Sequence, residues 1–281
     1  MPYMRPAARP VLKALSLLSG LVLGLSSASA RATTFFFSTG NPDGLMGMAS
    51  RPANASQGEI EAADDFVVTD PIQINQVTFT GLVPEGATIE SVRIEIYRVF
   101  PEDSDTTRTA QVPTRVNSPS DVAFAEREGS DLSFLSALLQ PSFTVDNSVV
   151  NGISVGSGGD GAATGQERFF TVKLNNPIDL DPNHYFFVPQ VELSNGDFLW
   201  LSAPKPIVPP GTPFPVGFTD LQTWMRDEAL DPDWLRVGTD IVGQGAFNGA
   251  FSIEGTVVPE PAAGLLLLWG LTGIAIRSRR T

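Results

Sequence analysis

The chain has 281 residues, of which 42% are hydrophobic, 17% are charged and none is cysteine, so disulfides, thiolate metal sites and cysteine nucleophiles are excluded. The net charge is −13, and setting aside six basic residues near the two termini leaves 12 basic residues against 31 acidic ones, a net charge of −19. Such an acidic protein repels phosphate backbones and anionic lipids, so nucleic acid is not an expected partner, whereas divalent cations and neutral polymers are compatible with it.

The first 32 residues have the pattern of a secretion signal. They open with three positive charges and no negative ones and continue with an apolar run at residues 14–25. Ala28 with Ala30, and Ala30 with Ala32, place small residues at the spacing that signal peptidase accepts. An apolar run of about a dozen residues is shorter than the ~20 needed to span a bilayer. We therefore predict export through the Sec translocon and cleavage by signal peptidase directly after one of these two sites.

From residue 33 onward, short apolar strands alternate with turns rich in Gly, Pro, Asn and Asp. Val92, Ile94 and Ile96 alternate with polar or amphipathic side chains, which predicts a strand with one buried and one solvated face. Residues 194–197 (SNGD) predict a hairpin turn, because Asn-Gly tolerates the positive φ values of a tight hairpin. The other predicted strands lie at residues 33–37, 62–68, 72–80, 149–155, 168–174, 185–193, 198–202 and 246–257.

Helical patterns are few. Residues 131–139 (DLSFLSALL) combine an acidic start with leucines at helical spacing, and residues 221–230 form a second candidate. About ten strands and one or two short helices predict an all-β fold, an antiparallel β-sandwich in one domain at residues 33–257. The chain shows no internal repeat of fixed period, which argues against propellers and solenoids.

Residues 152–156 (GISVG) match the G-x-S-x-G pattern of serine hydrolases. The hydrolase order of nucleophile, acid and base is also present, as Ser154, then Asp160 or Asp179, then His184. A nucleophile elbow needs a helix directly behind the serine, and the glycine-rich run that follows cannot start one. The same run resembles a phosphate-binding glycine loop and lacks the required helix for the same reason. We interpret the segment as a flexible hairpin loop.

His184 is the only histidine in the chain, which excludes a multi-histidine zinc site. Its remaining catalytic use is as a lone general base. It follows Asp-Pro-Asn at the head of a predicted strand, a pattern typical of a turn that closes on the core. The sequence favours this structural interpretation.

Calcium is the ion that the acidic loops favour, since it takes six to eight oxygen ligands. The densest loop holds Glu102, Asp103 and Asp105, and none of the acidic loops completes a D-x-[DN]-x-[DN]-G pattern. A structural calcium ion is therefore predicted here only as an alternative to solvated turns. Further acidic pairs are at residues 64–65, 179–181 and 231–233.

Aromatic residues in the last third of the sequence form a candidate carbohydrate-binding surface. Trp200, Trp224 and Trp234 lie close to the proline-rich residues 203–215. Aromatic faces stack on sugar rings, although large aromatics in a sandwich usually fill the core. Glycan binding through these three tryptophans is thus an alternative prediction.

Residues 258–281 combine three features in order. Pro259, Glu260 and Pro261 form a short motif, and an apolar stretch of 15 residues follows. As a helix this stretch is about 22 Å long at ~1.5 Å per residue, shorter than a hydrocarbon core of ~30 Å. The chain closes with a basic end, which the positive-inside rule keeps in the cytoplasm and which consists of Arg277, Arg279 and Arg280.

These tail residues resemble the PEP-CTERM sorting signal of bacteria, which a membrane transpeptidase called exosortase recognises. The resemblance covers about two dozen residues. It implies transient insertion of a short C-terminal transmembrane helix in the inner membrane and processing near the Pro-Glu-Pro motif. It also implies delivery of the body to the cell surface or extracellular matrix, in a host that makes exopolysaccharide.

The start and the end of the body resemble secreted bacterial jelly-roll modules that carry such tails. The similar segments are residues 62–68 (AADDFVV), the strand ending at Gly81 and residues 247–255 (FNGAFSIEG). These modules share no common activity, so the resemblance bears on the fold and not on the function.

The leading functional prediction is an exported, non-enzymatic protein of the cell surface or biofilm matrix, sorted by exosortase. A calcium-dependent carbohydrate-binding module is the first alternative, and a secreted hydrolase using Ser154 and His184 is the second. The predicted partners are the Sec translocon, signal peptidase, exosortase and exopolysaccharide.

Overall fold

A computed structural model describes residues 33–55, 57–107, 115–227 and 234–258. Within these ranges the chain forms fifteen strands, one 3₁₀ turn at Gly129–Asp131 and one π-helical turn at Val237–Ile241, so the predicted all-β class is confirmed. The strands are β1 (Thr34–Ser38), β2 (Met46–Ala49), β3 (Ile60–Val68), β4 (Ile72–Val83), β5 (Ile89–Arg98), β6 (Ala125–Arg127), β7 (Leu132–Val145), β8 (Asn147–Val149), β9 (Ala163–Leu180), β10 (Asn183–Leu193), β11 (Leu199–Ala203), β12 (Trp224–Asp227), β13 (Leu235–Arg236), β14 (Asn248–Gly249) and β15 (Phe251–Val257).

The larger sheet is built around β4. One edge of β4 pairs with β9, which pairs in turn with β7. The other edge pairs first with β15 and then, at Gly81 and Leu82, with β11. A Cβ atom at Gly81 would overlap the ring of Phe198, so glycine here lets β11 approach closely. β1 lies outside β15, β2 outside β11, and β8 pairs with β2 as the one parallel pair among the described strands.

The smaller sheet has the order β13-β12-β3-β10-β5-β6. β3 lies between β12 and β10, and every one of its nine residues is buried. Successive residues of a strand point to opposite faces, so a strand buried throughout must be covered on both sides. One face of this sheet meets the larger sheet, and the other carries a second apolar cluster that includes Tyr97, Trp224 and Trp234.

Aromatic side chains join the two sheets in one core. The ring of Phe187 on β10 lies 5.0 Å from that of Phe251, 5.9 Å from that of Trp200 and 6.4 Å from that of Phe79. All four side chains are at most 2% exposed. Burying a large apolar side chain stabilises a fold by ~1.5–3 kcal/mol, and a well-oriented aromatic pair adds ~0.5–1.5 kcal/mol. This cluster therefore holds the sheets face to face.

The helix predicted at residues 131–139 is wrong. The segment is the first half of β7, which pairs with β9 from Leu132 to Val145. Leu132 packs in the core, whereas Leu135 and Leu139 are 75% and 52% exposed, so the leucine spacing that suggested a helix does not define a buried face. Cross-strand pairing outweighs local helix propensity here.

The helix predicted at residues 221–230 is also wrong where the structure describes it. Trp224–Asp227 forms β12 and pairs with β3, with Trp224 opposite Ala63. The strand predicted at residues 149–155 ends at Val149. The remaining residues of that prediction form a loop.

Two details of the strand predictions are corrected. Gly196 has a φ of +69°, as the turn requires, but β10 and β11 belong to different sheets, so the turn at residues 194–197 is a crossover and not a hairpin. On β5, the face predicted to be solvated carries Glu95 and Tyr97, which are 5% and 2% exposed. The side chains packed over this face of the smaller sheet exclude water from both residues.

The two ends of the described body meet. Thr34 is opposite Thr256 in the register of β1 and β15, and the amide of Val257 donates to the carbonyl of Thr33 at 2.8 Å. The amide of Val258 donates to the carbonyl of Pro71, also at 2.8 Å. Residues 1–32 and 259–281, with their predicted cleavage, sorting and basic residues, lie outside the described residues. None of the helical turns in the described residues has the length and apolar character of a transmembrane helix.

Candidate functional site

The three tryptophans predicted as a carbohydrate surface are buried. Trp200, Trp224 and Trp234 are 0%, 2% and 2% exposed. Trp200 lies in the core and donates from Nε1 to the carbonyl of Ala250 at 3.0 Å. Trp234 donates from Nε1 to the carbonyl of Ser120 at 3.0 Å. A sugar ring cannot stack on faces that are already covered, so this prediction is wrong.

Replacing Trp200 by alanine is therefore expected to lower the free energy of unfolding by about 3–5 kcal/mol, the usual cost of truncating a buried aromatic. Urea unfolding followed by circular dichroism measures this loss. Trp200→Phe, which keeps an aromatic ring in the core, is the matched variant and should lose less. Unchanged stability together with loss of glycan binding would restore the tryptophan surface.

The acidic loop predicted to bind calcium is held by an arginine. Arg98 donates from Nε to Oδ2 of Asp103 at 2.6 Å and lies 3.2 Å from Oε2 of Glu102. Oδ1 of Asp105 accepts from the backbone and the hydroxyl of Thr107 at 2.9 and 2.7 Å. In the described parts of the chain, no three metal-ligating side chains converge. In the described structure Glu102 and Asp103 thus face a guanidinium and Asp105 faces Thr107, and calcium binding at these residues stays a prediction.

Ser154 and His184 lie on separate elements. Ser154 is exposed in the loop after β8, where a turn and not a helix follows it. Oδ2 of Asp160 accepts the amides of Val150 and Asn151 at 2.7 and 3.2 Å, so a side chain fastens the start of this loop. The described contacts of the His184 ring are with Asp65 and three phenylalanines. None of them connects it to Ser154.

The most unusual polar feature is a pair of carboxylates inside the fully buried strand β3. Asp64 and Asp65 are each 1% exposed. As neighbours on a strand they point to opposite faces. Oδ2 of Asp64 accepts a hydrogen bond from the amide of Gly249 at 2.9 Å, on the side that faces the larger sheet. Oδ2 of Asp65 lies 2.6 Å from Nε2 of His184 and accepts the amide of Leu221 at 3.1 Å.

This burial raises the pKa of both carboxyl groups. In each, Oδ1 has no hydrogen-bond partner among the described residues. Burial, and next the negative charge of Asp65, raise the pKa of Asp64 well above its ordinary value. Burial also raises the pKa of Asp65, against the opposing hydrogen bond from His184. Carboxyl groups in this setting disfavour their charged form.

A lysine ammonium lies close to the pair. Nζ of Lys205 donates to the carbonyl and the carboxylate of Asp220, to the carbonyl of Leu221 and to Oδ1 of Asn248, with distances of 2.8 Å to the Asp220 carbonyl and 3.2 Å to Asn248. Four oxygens thus surround one cation. The positive charge of Lys205 lowers the pKa of Asp64, against the larger effect of burial. An ammonium with several oxygen partners occupies the role that a structural ion would have.

A cavity of about 220 Å³ opens beside this cluster, lined in part by Lys205, Asp220 and Trp224. The Asp65–His184 pair has the composition of a base with its orienting carboxylate. The imidazole, however, is surrounded by the rings of Phe186, Phe214 and Phe218. The contacts of the pair fasten the loop that contains Phe214 and Leu221 to the sheet.

A second acidic cluster lies on the covered face of the smaller sheet. Glu61 accepts from the hydroxyl of Tyr97 at 2.5 Å and is paired with Arg226. Oε2 of Glu95 has no hydrogen-bond partner among the described residues, and Oε1 of Gln190 has none either. Burial, followed by the negative charge of Glu61, raises the pKa of Glu95 to about 9.

These polar clusters were not predicted as a site from the sequence. Asp64 and Asp65 had been considered only as one acidic pair among several, and Lys205 and Glu95 not at all. The available signal was two charges inside an otherwise apolar strand (AADDFVV), since buried charges require partners. No protein-family model matches the chain, and searches of the curated proteins and of the solved structures find no match either.

Proposed function

We propose that the chain is an exported, non-enzymatic protein of the cell surface or biofilm matrix, sorted by exosortase through its C-terminal segment. The observation that carries the proposal is the ordered tail, with Pro259, Glu260 and Pro261, the apolar residues 262–276 and a basic end. The body is proposed to be a jelly-roll-like β-sandwich, in keeping with its two packed, largely antiparallel sheets.

The position of the motif supports this proposal. The last backbone hydrogen bond of the described body is made by Val258, and the motif begins at the next residue. Cleavage at or after the motif would leave β15 intact between β1 and β4. On the other side, the predicted signal-peptide sites precede Thr34, where β1 begins. Both predicted cleavages thus spare the sheet.

The way the body uses its charged groups also supports a structural role. Asp65 and His184 fasten a loop, Lys205 replaces an ion, and Arg98 neutralises the densest acidic loop. Each of these groups makes its contacts within the fold. The remaining acidic surface suits a protein that stays dissolved outside the cell.

Mass spectrometry of the protein isolated from its producing cells tests the sorting route. We expect a mature chain that starts at Arg31 or Thr33 and ends before residue 262. In cells that lack exosortase, and in a Pro259→Ala/Glu260→Ala double variant, the chain should keep its tail and remain in the inner membrane. Ser278→Ala, which alters the tail outside the motif and keeps its charge, is the matched control and should be processed normally.

A C-terminus still at Thr281 in cells with an intact exosortase would overturn the sorting proposal and favour a permanent tail anchor. Normal processing of the double variant would show that another enzyme removes the tail.

A further inference from the structure

A groove crosses the outer face of the larger sheet, where β1, β15, β4, β9 and β7 lie side by side. Its volume is about 590 Å³, within the range of ~300–1,000 Å³ that ligand sites usually have. It lies on the face of the sheet opposite the core and is distinct from the cluster around Lys205.

Aromatic and aliphatic side chains form the walls of this groove. Phe36 on β1 is 53% exposed, and Leu139 on β7 is 52% exposed. Phe143 and Phe169, on β7 and β9, are half-buried and line the groove. Exposed aromatic rings on a sheet face leave apolar area in water, which a ligand with flat apolar faces would cover.

Hydroxyl and amide groups form the floor and one rim. Thr78 and Ser252 are opposite each other on β4 and β15, with their hydroxyl oxygens 2.7 Å apart. Gln140 donates a hydrogen bond to the carboxylate of Glu167. Asn41 adds a further amide from the loop after β1. Hydroxyls, amides and a carboxylate can exchange hydrogen bonds with a ligand that carries many hydroxyl groups.

The charge of the groove selects among such ligands. Among the described residues that line it, none is Lys, Arg or His, and Glu167 brings a negative charge. The chain as a whole has a net charge of −13. Phosphate, sulfate and uronate groups would be repelled here, and a neutral ligand would not.

The centre of the groove excludes one common way of binding a peptide. β15 is paired on both sides, by β1 and β4, and β4 and β9 are likewise paired on both sides. A peptide that adds as a strand needs a free sheet edge, and over these three strands the groove offers only the face of the sheet. A ligand at the centre of the groove must therefore be bound by side chains.

We propose that this groove binds a neutral polysaccharide, with Phe36 and Phe169 stacking on sugar rings and Thr78, Ser252 and Gln140 bonding to sugar hydroxyls. The alternation of apolar ring faces and hydroxyl edges in a sugar chain matches the aromatic walls and polar floor. This assigns carbohydrate binding to other residues than the buried tryptophans. The inference stands on the body and is independent of the sorting route.

Isothermal titration calorimetry on the mature protein, isolated from its producing cells, tests the proposal. The probes are four neutral polymers, namely soluble β-1,3-glucan, cellohexaose, mannan and xylan, with polygalacturonate and dextran sulfate as anionic controls. We expect binding of at least one neutral polymer and of neither anionic one. Phe36→Ala should weaken that binding about tenfold or more, a loss of about 1.4 kcal/mol or more, because it removes a ring on which a sugar would stack.

Phe218→Ala is the matched control, since Phe218 is 44% exposed but lies beside His184 and not in the groove. It should leave binding unchanged, and circular dichroism verifies that both variants are folded. Equal losses in the two variants would place the binding elsewhere. Failure of all four neutral polymers to bind, or preference for an anionic one, would overturn the proposal.

Analytical ultracentrifugation, which measures self-association, is a further test that could contradict the proposal. If the mature protein self-associates and Phe36→Ala abolishes the association, a second copy occupies the groove and not a glycan. The outcomes are distinct from those of the sorting test, because the titration uses the mature body whatever its C-terminal residue.

Discussion

Replacing Lys205 by methionine is expected to lower the free energy of unfolding by about 2–4 kcal/mol, because it leaves the oxygens of a part-buried network and the buried carboxyl of Asp64 without their cation. Methionine keeps most of the length and apolar stem of the lysine but not its charge. Two carbonyls, the carboxylate of Asp220 and the amide oxygen of Asn248 would then lose their shared donor. The loop that includes Leu221 would also lose a link to the sheet. Urea unfolding of the mature protein measures the change.

Lys173→Met is the matched control, since Lys173 is exposed on β9. It should change stability by no more than ~0.5 kcal/mol, as surface substitutions usually do. Because the ammonium takes the role of an ion, neither EDTA nor added calcium should alter the stability of the native protein. A loss of stability on adding EDTA would contradict this account and support a structural calcium ion.

The second large effect is a dependence of stability on pH. We expect the free energy of unfolding to fall by a few kcal/mol as the pH rises from about 5 to about 9. The pKa of Glu95 is raised by burial to about 9 in the folded protein, against 4.5 for an ordinary glutamate. A raised pKa means that the folded state holds its proton more tightly than the unfolded state does. The resulting stability is complete below pH 4.5 and is lost as the pH rises to about 9.

Glu95→Gln replaces the neutral acid by a neutral amide and should remove much of this slope. It should also make the body more stable than the native protein at pH 9. Some slope should remain, because the raised pKa values of Asp64 and Asp65 act in the same direction. Glu90→Gln, at an exposed residue near the start of the same strand, is the control and should keep the native profile. Urea midpoints at pH 5, 7 and 9 compare the three proteins, and identical profiles for Glu95→Gln and the native protein would contradict the assignment.

The all-β class and most strands could be predicted because alternating apolar residues report directly on burial. Val92, Ile94 and Ile96 show this, since each is buried as expected. Residues 131–139 could not be assigned from local pattern, because serine and leucine at that spacing fit both a helix and a strand. Pairing with β9, thirty or more positions later in the sequence, decides the outcome.

Long-range neighbours also explain why the candidate site was not predicted. Lys205 meets Asn248, which lies 43 positions away, and Asp65 meets His184, 119 positions away. A sequence shows that a charge lies in an apolar strand but not what partner it finds. The three tryptophans show the same limit from the other side. Their residue type suggests sugar binding, but their burial follows from how the sheets pack, which the sequence does not show.

The pairing of β15 with β1 and β4 has a consequence for the order of folding. The hydroxyl of Thr39 donates to the carbonyl of Phe251 across 212 positions, so the larger sheet is completed by one of its last residues. Contacts this distant in sequence form slowly. Until residues 251–257 have emerged, β1 lacks its neighbour and β4 lacks one of its three, and open strand edges favour aggregation. If the chain is exported as proposed, the sheet would therefore be completed only shortly before the proposed sorting motif reaches the outer side of the membrane.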